Sequence, residues 1–537
     1  MGVYDLAQKI LEGKMTDIHI GEMLARNARM YSNDIALVER SPADKQRWEI
    51  TWKQFDEGAN RFANILIKKG IKKGDKVVHL MMNSIDWLIA YFGILRTGAW
   101  VVPLNFRFTS ADIKYCIEVV EPSLVVFGEE FTERIEEIKD QINVKDYIFV
   151  GKEIPGFAEP FAELMKQASS TPVNIELTYN DECALYFTSG TTGQPKPILL
   201  THKNLVCACI TENVHHGQKK EDNFILIPPL YHTGAKMHWF GSLIVGGRAV
   251  ILRGISPEWI FEAVSEEGGT ILWLLVPWVQ DILLKLDQGQ MRIENYKLDQ
   301  LRLLHIGAMP VPPSLIQRWR AYFPDMDYDT TYGLSEAAGP NCVHLGVENI
   351  HKVGAIGRAG FNWETRIVDD YGKDVRQGET GELIVRGDGV MREYYKNPEA
   401  TANTLRNGWL HTGDMARQDE DGFIFLVDRK KDVIICGGEN VFPVEVENFL
   451  HTHPAIKDVA AIGVPDERLG EIVAVVIDVI PGKKLTDKEV LEYCEKLPRC
   501  KRPRKVFFGE VPRNPTGKIE KPKLRKRYTG MAEAFKI

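Results

Sequence analysis

From residue 50 to 150 the apolar positions switch period repeatedly. Residues 57–69 carry hydrophobic side chains at helical spacing, 76–82 form a short apolar run of strand type, and 84–96 read as an amphipathic helix. Residues 99–104 and 124–127 are again strand-like. The alternation resumes further along, with strands expected at 224–227, 248–252, 270–275 and 302–306 and helices between them. Apolar strands separated by helices predict an α/β fold whose large N-terminal part consists of mostly parallel sheets covered by helices.

After about residue 360 the pattern changes. Runs such as 382–386 and 422–428 are short strands between glycine-containing turns, which predicts a small antiparallel, barrel-like region. A compact α+β unit follows, with strands at 459–462, 472–479 and 505–508 and a helix at 486–496. The most charged connector is Asp428-Arg429-Lys430-Lys431-Asp432. It reads either as an exposed junction between two cores or as a solvated turn within one.

Composition narrows the classes. A chain of 537 residues that is 44% hydrophobic and 26% charged is an ordinary globular protein with room for more than one domain. Its net charge of −7 gives no global basic field for nucleic acid. A basic segment, 496–527, has 13 Lys and Arg against Glu510 and Glu520, but no aromatic platform is interleaved for stacking bases. The 8 cysteines include no C-x-x-C pair, so neither a zinc site nor a disulfide framework is indicated. The longest apolar run, 271–279, is too short to span a membrane and contains Pro277, so it reads as a buried strand leading into a helix. Without a basic-then-apolar leader, the expected location is cytoplasmic.

The most specific chemistry lies at 186–203, YFTSGTTGQPKPILLTHK. An apolar strand runs into Thr188, Ser189, Gly190, Thr191, Thr192 and Gly193, and Lys196 follows between two prolines. Glycines let backbone N–H groups approach an anion, hydroxyls donate to phosphate oxygens, and the lysine adds charge. A Walker A loop needs Ser or Thr after its lysine at the start of a helix, whereas Pro195 and Pro197 make this chain leave the loop extended. On composition alone the string is also an ordinary hairpin turn. The string itself resembles the phosphate loop of the adenylate-forming superfamily, which comprises acyl-CoA synthetases, luciferases and peptide-synthetase adenylation domains. That pattern, roughly S-G-T-T-G-x-P-K-G, is matched except that Pro197 replaces the last glycine.

Further segments resemble the same family in the same order. In Thr331-Tyr332-Gly333-Leu334-Ser335-Glu336 a strand is expected to end near Thr331 and a helix to begin with Ser335 as its cap. The resemblance implies that Tyr332 stacks on the base, Thr331 meets the α-phosphate, and Glu336, with Thr191, holds Mg2+. Gly307-Ala308-Met309 resembles the segment whose backbone lines the adenine and acyl sites. Asp414 resembles the aspartate that receives the ribose hydroxyls, and Arg429 its partner. Lys431 falls on the hinge, and Gly437-Gly438 resembles a turn that borders the pantetheine tunnel. Lys518 resembles the mobile catalytic lysine that bridges the acyl carboxylate and the α-phosphate.

These matches imply an N-terminal domain at 1–428, a hinge at 429–431 and a mobile C-terminal domain at 432–537. They imply an AMP-forming acyl-CoA synthetase, monomeric or homodimeric, that takes ATP, Mg2+, CoA and a carboxylic acid. His232 resembles a gate for the carboxylate and joins Lys518 and Thr188 as a candidate catalytic residue. Trp239, Gly307, Gly333 and Ala338 are candidate acyl-pocket residues. Gly333 stands where acetate-activating relatives carry a tryptophan, which points to an aryl, alicyclic or medium-chain acid. Two rivals remain at this stage: an enzyme that passes its acyl group to a carrier protein, and a non-catalytic nucleotide-binding relative.

Overall fold

Val77 and Val78, Val101 and Val102, and Val125 and Val126 are all fully buried, and each pair sends one side chain to either face of the same sheet. Such a strand needs cover on both sides, which is why its sequence is continuously apolar rather than alternating. The computed structural model describes residues 18–188, 195–307, 311–429, 432–437, 439–513 and 519–530. In it these valines belong to an eight-stranded sheet in the order Glu393–Tyr394, Lys196–Thr201, Glu182–Thr188, Trp100–Pro103, Lys76–Leu80, Leu124–Gly128, Asp146–Val150, Glu159–Pro160. Six of these strands are parallel, and the two at the Glu393–Tyr394 edge run antiparallel to their neighbours.

A second sheet has nine strands. Its parallel centre runs Asp327–Leu334, Leu303–Gly307, Ile271–Leu275, Asn223–Leu226, Arg248–Leu252, Ile35–Ser41, with antiparallel strands at both edges. The helices Trp52–Lys68, Ile85–Arg96, His202–His216 and Thr233–Phe240 share one core with the facing sides of both sheets. Ile85–Arg96 is not amphipathic as expected: it is buried all round except at Asp86, because it lies between two sheets. Ser84 Oγ caps it by accepting from the Trp87 N–H at 3.0 Å. Gly93 permits the close approach of its neighbour, because a Cβ there would lie 2.8 Å from that of Phe62.

The barrel-like region is five antiparallel strands, Trp363–Val368, Gly381–Gly387, Leu405–Arg406, Trp409–Gln418 and Ile424–Arg429. The last unit has its own core around Ile456–Asp466 and Gly470–Val479, with Lys505–Phe508 alongside in parallel and the helix Lys521–Thr529 packed on it. No helix among the described residues is long and apolar enough to cross a membrane.

Two local expectations are corrected. Ser335 caps no helix. The strand Asp327–Leu334 continues past Thr331 and folds back through one 3-10 turn, Ser335–Ala337, into Gly339–Leu345. Cross-strand pairing of Thr331 with Val343 and Tyr332 with Cys342 wins over the helix-start signal. The charged connector is also less exposed than its composition predicts, since Asp428 and Asp432 are 7% and 8% exposed. Lys521 Nζ lies 3.6 Å from Asp428 and 3.0 Å from Glu447, and Arg525 pairs with Asp432. Burial, helped by Glu447 and Asp432 and opposed by Lys521, lifts the Asp428 carboxyl to about 6.

Candidate active site

Thr188 and Lys196 close the phosphate loop as a cross-strand pair, so its two ends are fixed by the ladder that Pro197 continues. Ser189, Gly190, Thr191, Thr192 and Gly193 lie outside the described residues. On the other side of the Lys196 strand, Tyr394 pairs with Ile198. The Lys196 ammonium sits 5.4 Å from the centre of the Tyr394 ring, and the Tyr394 hydroxyl donates to Glu336 Oε1 at 2.7 Å. Burial, with the adjacent charge of Glu336, pushes the Tyr394 phenol up, so it stays a donor. One tyrosine thus joins the loop lysine to the candidate magnesium carboxylate. Sequence reasoning missed Tyr394, which is 198 positions from Lys196 and carries no motif; only its place on a short edge strand reveals it.

The hairpin that carries Glu336 also reaches the residues expected at the ribose. Tyr332 donates to Asp414 Oδ2 at 2.5 Å, and Arg429 Nε stands 3.4 Å from Asp414 Oδ1. Asp414 holds the Arg429 guanidinium above its ordinary pKa. Tyr332 lies on the strand and Glu336 in the 3-10 turn that follows it, so one hairpin reaches Asp414 through Tyr332 and Tyr394 through Glu336. Thr331 lies on the same strand, with Oγ1 3.5 Å from His305 Nε2.

Other candidates scatter. Gly307 ends its strand beside His305 and Trp273, while Ala308 and Met309 lie outside the described residues. His232 precedes the helix Thr233–Phe240, and its ring lies 3.4 Å from where a Gly234 Cβ would be. Trp239 and Ala338 are fully buried members of the central core. Gly333 is exposed, and a Cβ on it would meet the Gly339 carbonyl oxygen at 2.3 Å. The hairpin's own backbone therefore explains this glycine. Gly437, at φ +61°, turns the hairpin between Ile434–Cys436 and Glu439–Val441. Gly438, Lys431 and Lys518 lie outside the described residues. The segment bearing Lys518 is bounded by a bridge between Arg513 and Ile519, and Arg513 is clamped to both oxygens of Asp458 at 2.8 and 2.7 Å.

Lys236 is a second residue that periodicity concealed. It is fully buried, with Nζ 4.1 Å from the Tyr186 ring centre, and donates to the backbone oxygens of Leu230 and His232 at 3.2 and 3.3 Å. Burial holds its pKa well below 10.5. Lys236→Met removes both bonds that fix the His232 loop, and is expected to lower kcat/KM for the acid about tenfold. Between the lowered pKa and 10.5 the unfolded chain keeps a proton that the folded chain releases, so stability from this site rises with pH. Unfolding free energies of wild type and variant should therefore diverge toward pH 10 in favour of the wild type; a constant difference would remove the buried-lysine account.

The AMP-binding enzyme family model matches residues 24–395, and the AMP-binding enzyme C-terminal domain model matches 445–518. The chain belongs to the AMP-binding enzyme family. Similar proteins include a long-chain-fatty-acid–CoA ligase of Mycobacterium tuberculosis, 31% identical over 95% of this chain and 99% of the relative. A feruloyl-CoA synthase of an Amycolatopsis species is 32% identical, again over 95% and 99%. Among solved structures, an anthranilate CoA ligase in complex with anthranoyl-AMP superposes with a TM-score of 0.88 at 26% identity, over 98% of this chain and 99% of that one. The enzyme is an AMP-forming acid–thiol ligase, with ATP, CoA and a carboxylic acid as its substrates.

The chemistry of Glu336 fits a magnesium ion. Among the described residues no lysine or arginine forms an ion pair with it, and Tyr394, whose ring Lys196 also approaches, orients it. A hard cation that shares carboxylate and phosphate oxygens suits that place.

Proposed function

We propose that the acid this ligase activates is larger than acetate, an aryl, alicyclic or medium-chain carboxylic acid, and that the reaction runs in two steps at one site. A carboxylate is a weak partner for CoA until its oxygen has attacked the α-phosphate of ATP and expelled pyrophosphate. The resulting acyl adenylate offers AMP as a leaving group to the CoA thiol. The nucleophiles and leaving groups belong to the substrates, so the protein supplies position and charge.

In this reading Asp414 and Arg429 receive the ribose, Tyr332 flanks the base, and Thr188, Lys196 and Glu336 serve the phosphate end. Magnesium, when bound at Glu336, screens the charge of the triphosphate. Lys518 then acts in the first step and the Gly437 turn borders the path of CoA in the second, with 429–431 as the pivot between a domain at 1–428 and one at 432–537. The observation that carries the reading is the hairpin that holds Tyr332 against Asp414 and Glu336 against Tyr394. It supports a nucleotide lying along that hairpin. The cytoplasm is the proposed location.

A panel of carboxylic acids assayed for pyrophosphate release, with and without CoA, tests the function. Release that needs the acid, followed by CoA-dependent thioester formation, is expected. Glu336→Ala should raise the magnesium concentration needed for half-maximal release about tenfold or more, and an unchanged titration would remove Glu336 as a ligand.

A further inference from the structure

Behind Gly307 lies a set of buried polar side chains that the roles above leave unused. His216 Nε2 is 2.5 Å from Asp329 Oδ2, and its Nδ1 is 3.2 Å from Glu212 Oε2. His305 Nδ1 is 3.0 Å from the same Asp329 oxygen. His238 Nδ1 is 2.6 Å from Glu212 Oε1, and its ring centre is 4.2 Å from that of His305 and 4.3 Å from that of Trp273. None of these five acids and histidines is more than 4% exposed.

The charges decide where the protons sit. Burial opposes a charge on His216, but Glu212 and Asp329 outweigh it and hold its pKa above the usual imidazole value. Burial lowers His305 to about 4 and His238 to about 3, so both are neutral near pH 7. Burial pushes Asp329 up, but the bond from His216, with help from His305, outweighs it and keeps the carboxylate ionised. An ionised Asp329 takes the N–H of His305 Nδ1 and leaves the lone pair on Nε2.

That lone pair borders the glycine. A Cβ on Gly307 would lie 3.0 Å from His305 Nε2 and 3.5 Å from Trp273 Nε1. The indole N–H of Trp273, 3% exposed, has no acceptor among the described residues, and the Thr331 hydroxyl reaches His305 Nε2 only at 3.5 Å. A buried donor without a partner costs roughly 1–3 kcal/mol. An acceptor and a donor thus stand side by side, poorly satisfied, at the strand end that reads as a wall of the acyl site. A hydroxyl is the smallest group that offers both a donor and an acceptor.

We propose that His305 and Trp273 recognise a hydroxyl group on the acyl part of the substrate, so that this ligase activates hydroxylated carboxylic acids, phenolic or aliphatic, in preference to their deoxy counterparts. The inference rests on the acyl-CoA ligase reading and adds to it a polar specificity. A metal is the competing occupant, because His216, His238 and His305 have ligand atoms within 4.8 Å of one another. Both nitrogens of His216 are committed to carboxylates, however, and an indole N–H is no ligand. Two imidazole nitrogens are fewer than the three protein ligands a catalytic zinc takes.

The test compares matched acids in pyrophosphate release: 4-hydroxybenzoate with benzoate, 4-hydroxycinnamate with cinnamate, and 6-hydroxyhexanoate with hexanoate. Wild type is expected to favour the hydroxylated member of at least one pair by about 100-fold or more in kcat/KM. Trp273→Phe, which stays aromatic and deletes the donor, and His305→Leu should each reduce that ratio at least about tenfold. If only deoxy acids are used, or if both variants lose the two acids in equal proportion, the hydroxyl site is refuted while the ligase stands. If no acid releases pyrophosphate, both readings fall. Stoichiometric zinc in the purified enzyme, with the preference lost on chelation, would assign the cluster to a metal and overturn the proposal.

Discussion

Lys518→Ala is expected to lower acid-dependent pyrophosphate exchange by about 100- to 1,000-fold, the usual scale for removing one preorganised charge from a developing anion. The acyl carboxylate and the α-phosphate are both negative and must meet, and a compact ammonium can touch both. Thioester formation from supplied acyl adenylate has no such pair of anions, so the variant should keep most of that activity. The bridge from Arg513 to Ile519, and the two hydrogen bonds from Arg513 to Asp458, fix the residues on either side of the segment that contains Lys518. Equal loss of the two half-reactions would show that Lys518 supports the fold or both steps alike, and the assigned role would fail.

Asp432→Ala should be the most damaging substitution for stability. It leaves the Arg525 guanidinium, 5% exposed, without the carboxylate it faces. Stranding one member of a buried ion pair costs about 3–5 kcal/mol. The loss should appear as separate, earlier melting of the C-terminal unit, which has its own core, while the large domain keeps its transition. The double variant Asp432→Ala, Arg525→Leu removes the stranded charge and should recover much of the loss. A single unchanged transition in Asp432→Ala would show that the pair contributes nothing net.

Fold class was legible because its signal is local and repeated. The apolar runs at 76–82 and 124–127 announce strands, and the helical spacing over 84–96 announces the helix that covers them. The family was legible because the motif at 186–203 is contiguous. Ser335 misled because a cap residue and a first-turn acid look alike whether the chain makes four turns or one, and the long-range pairing of Tyr332 with Cys342 decides between them. Tyr394 was hidden because a two-residue edge strand has no period to read. The histidine cluster was hidden for another reason. His216, His238, His305 and Asp329 come from two helices and two strands, each reads alone as a satisfied core residue, and only the sheet order places them together.

The two cations on the helix Lys521–Thr529 have unequal consequences for motion. Arg525 grips Asp432, which lies on its own side of the proposed pivot, so that clasp would travel unbroken in the proposed swing. Lys521 reaches across to Asp428, on the other side of that pivot. In the proposed motion each reorientation remakes that contact together with the bond from the Val444 N–H to Asp428 Oδ2. Weakening the Lys521 contact is then expected to shift which half of the cycle limits turnover without touching a single substrate atom.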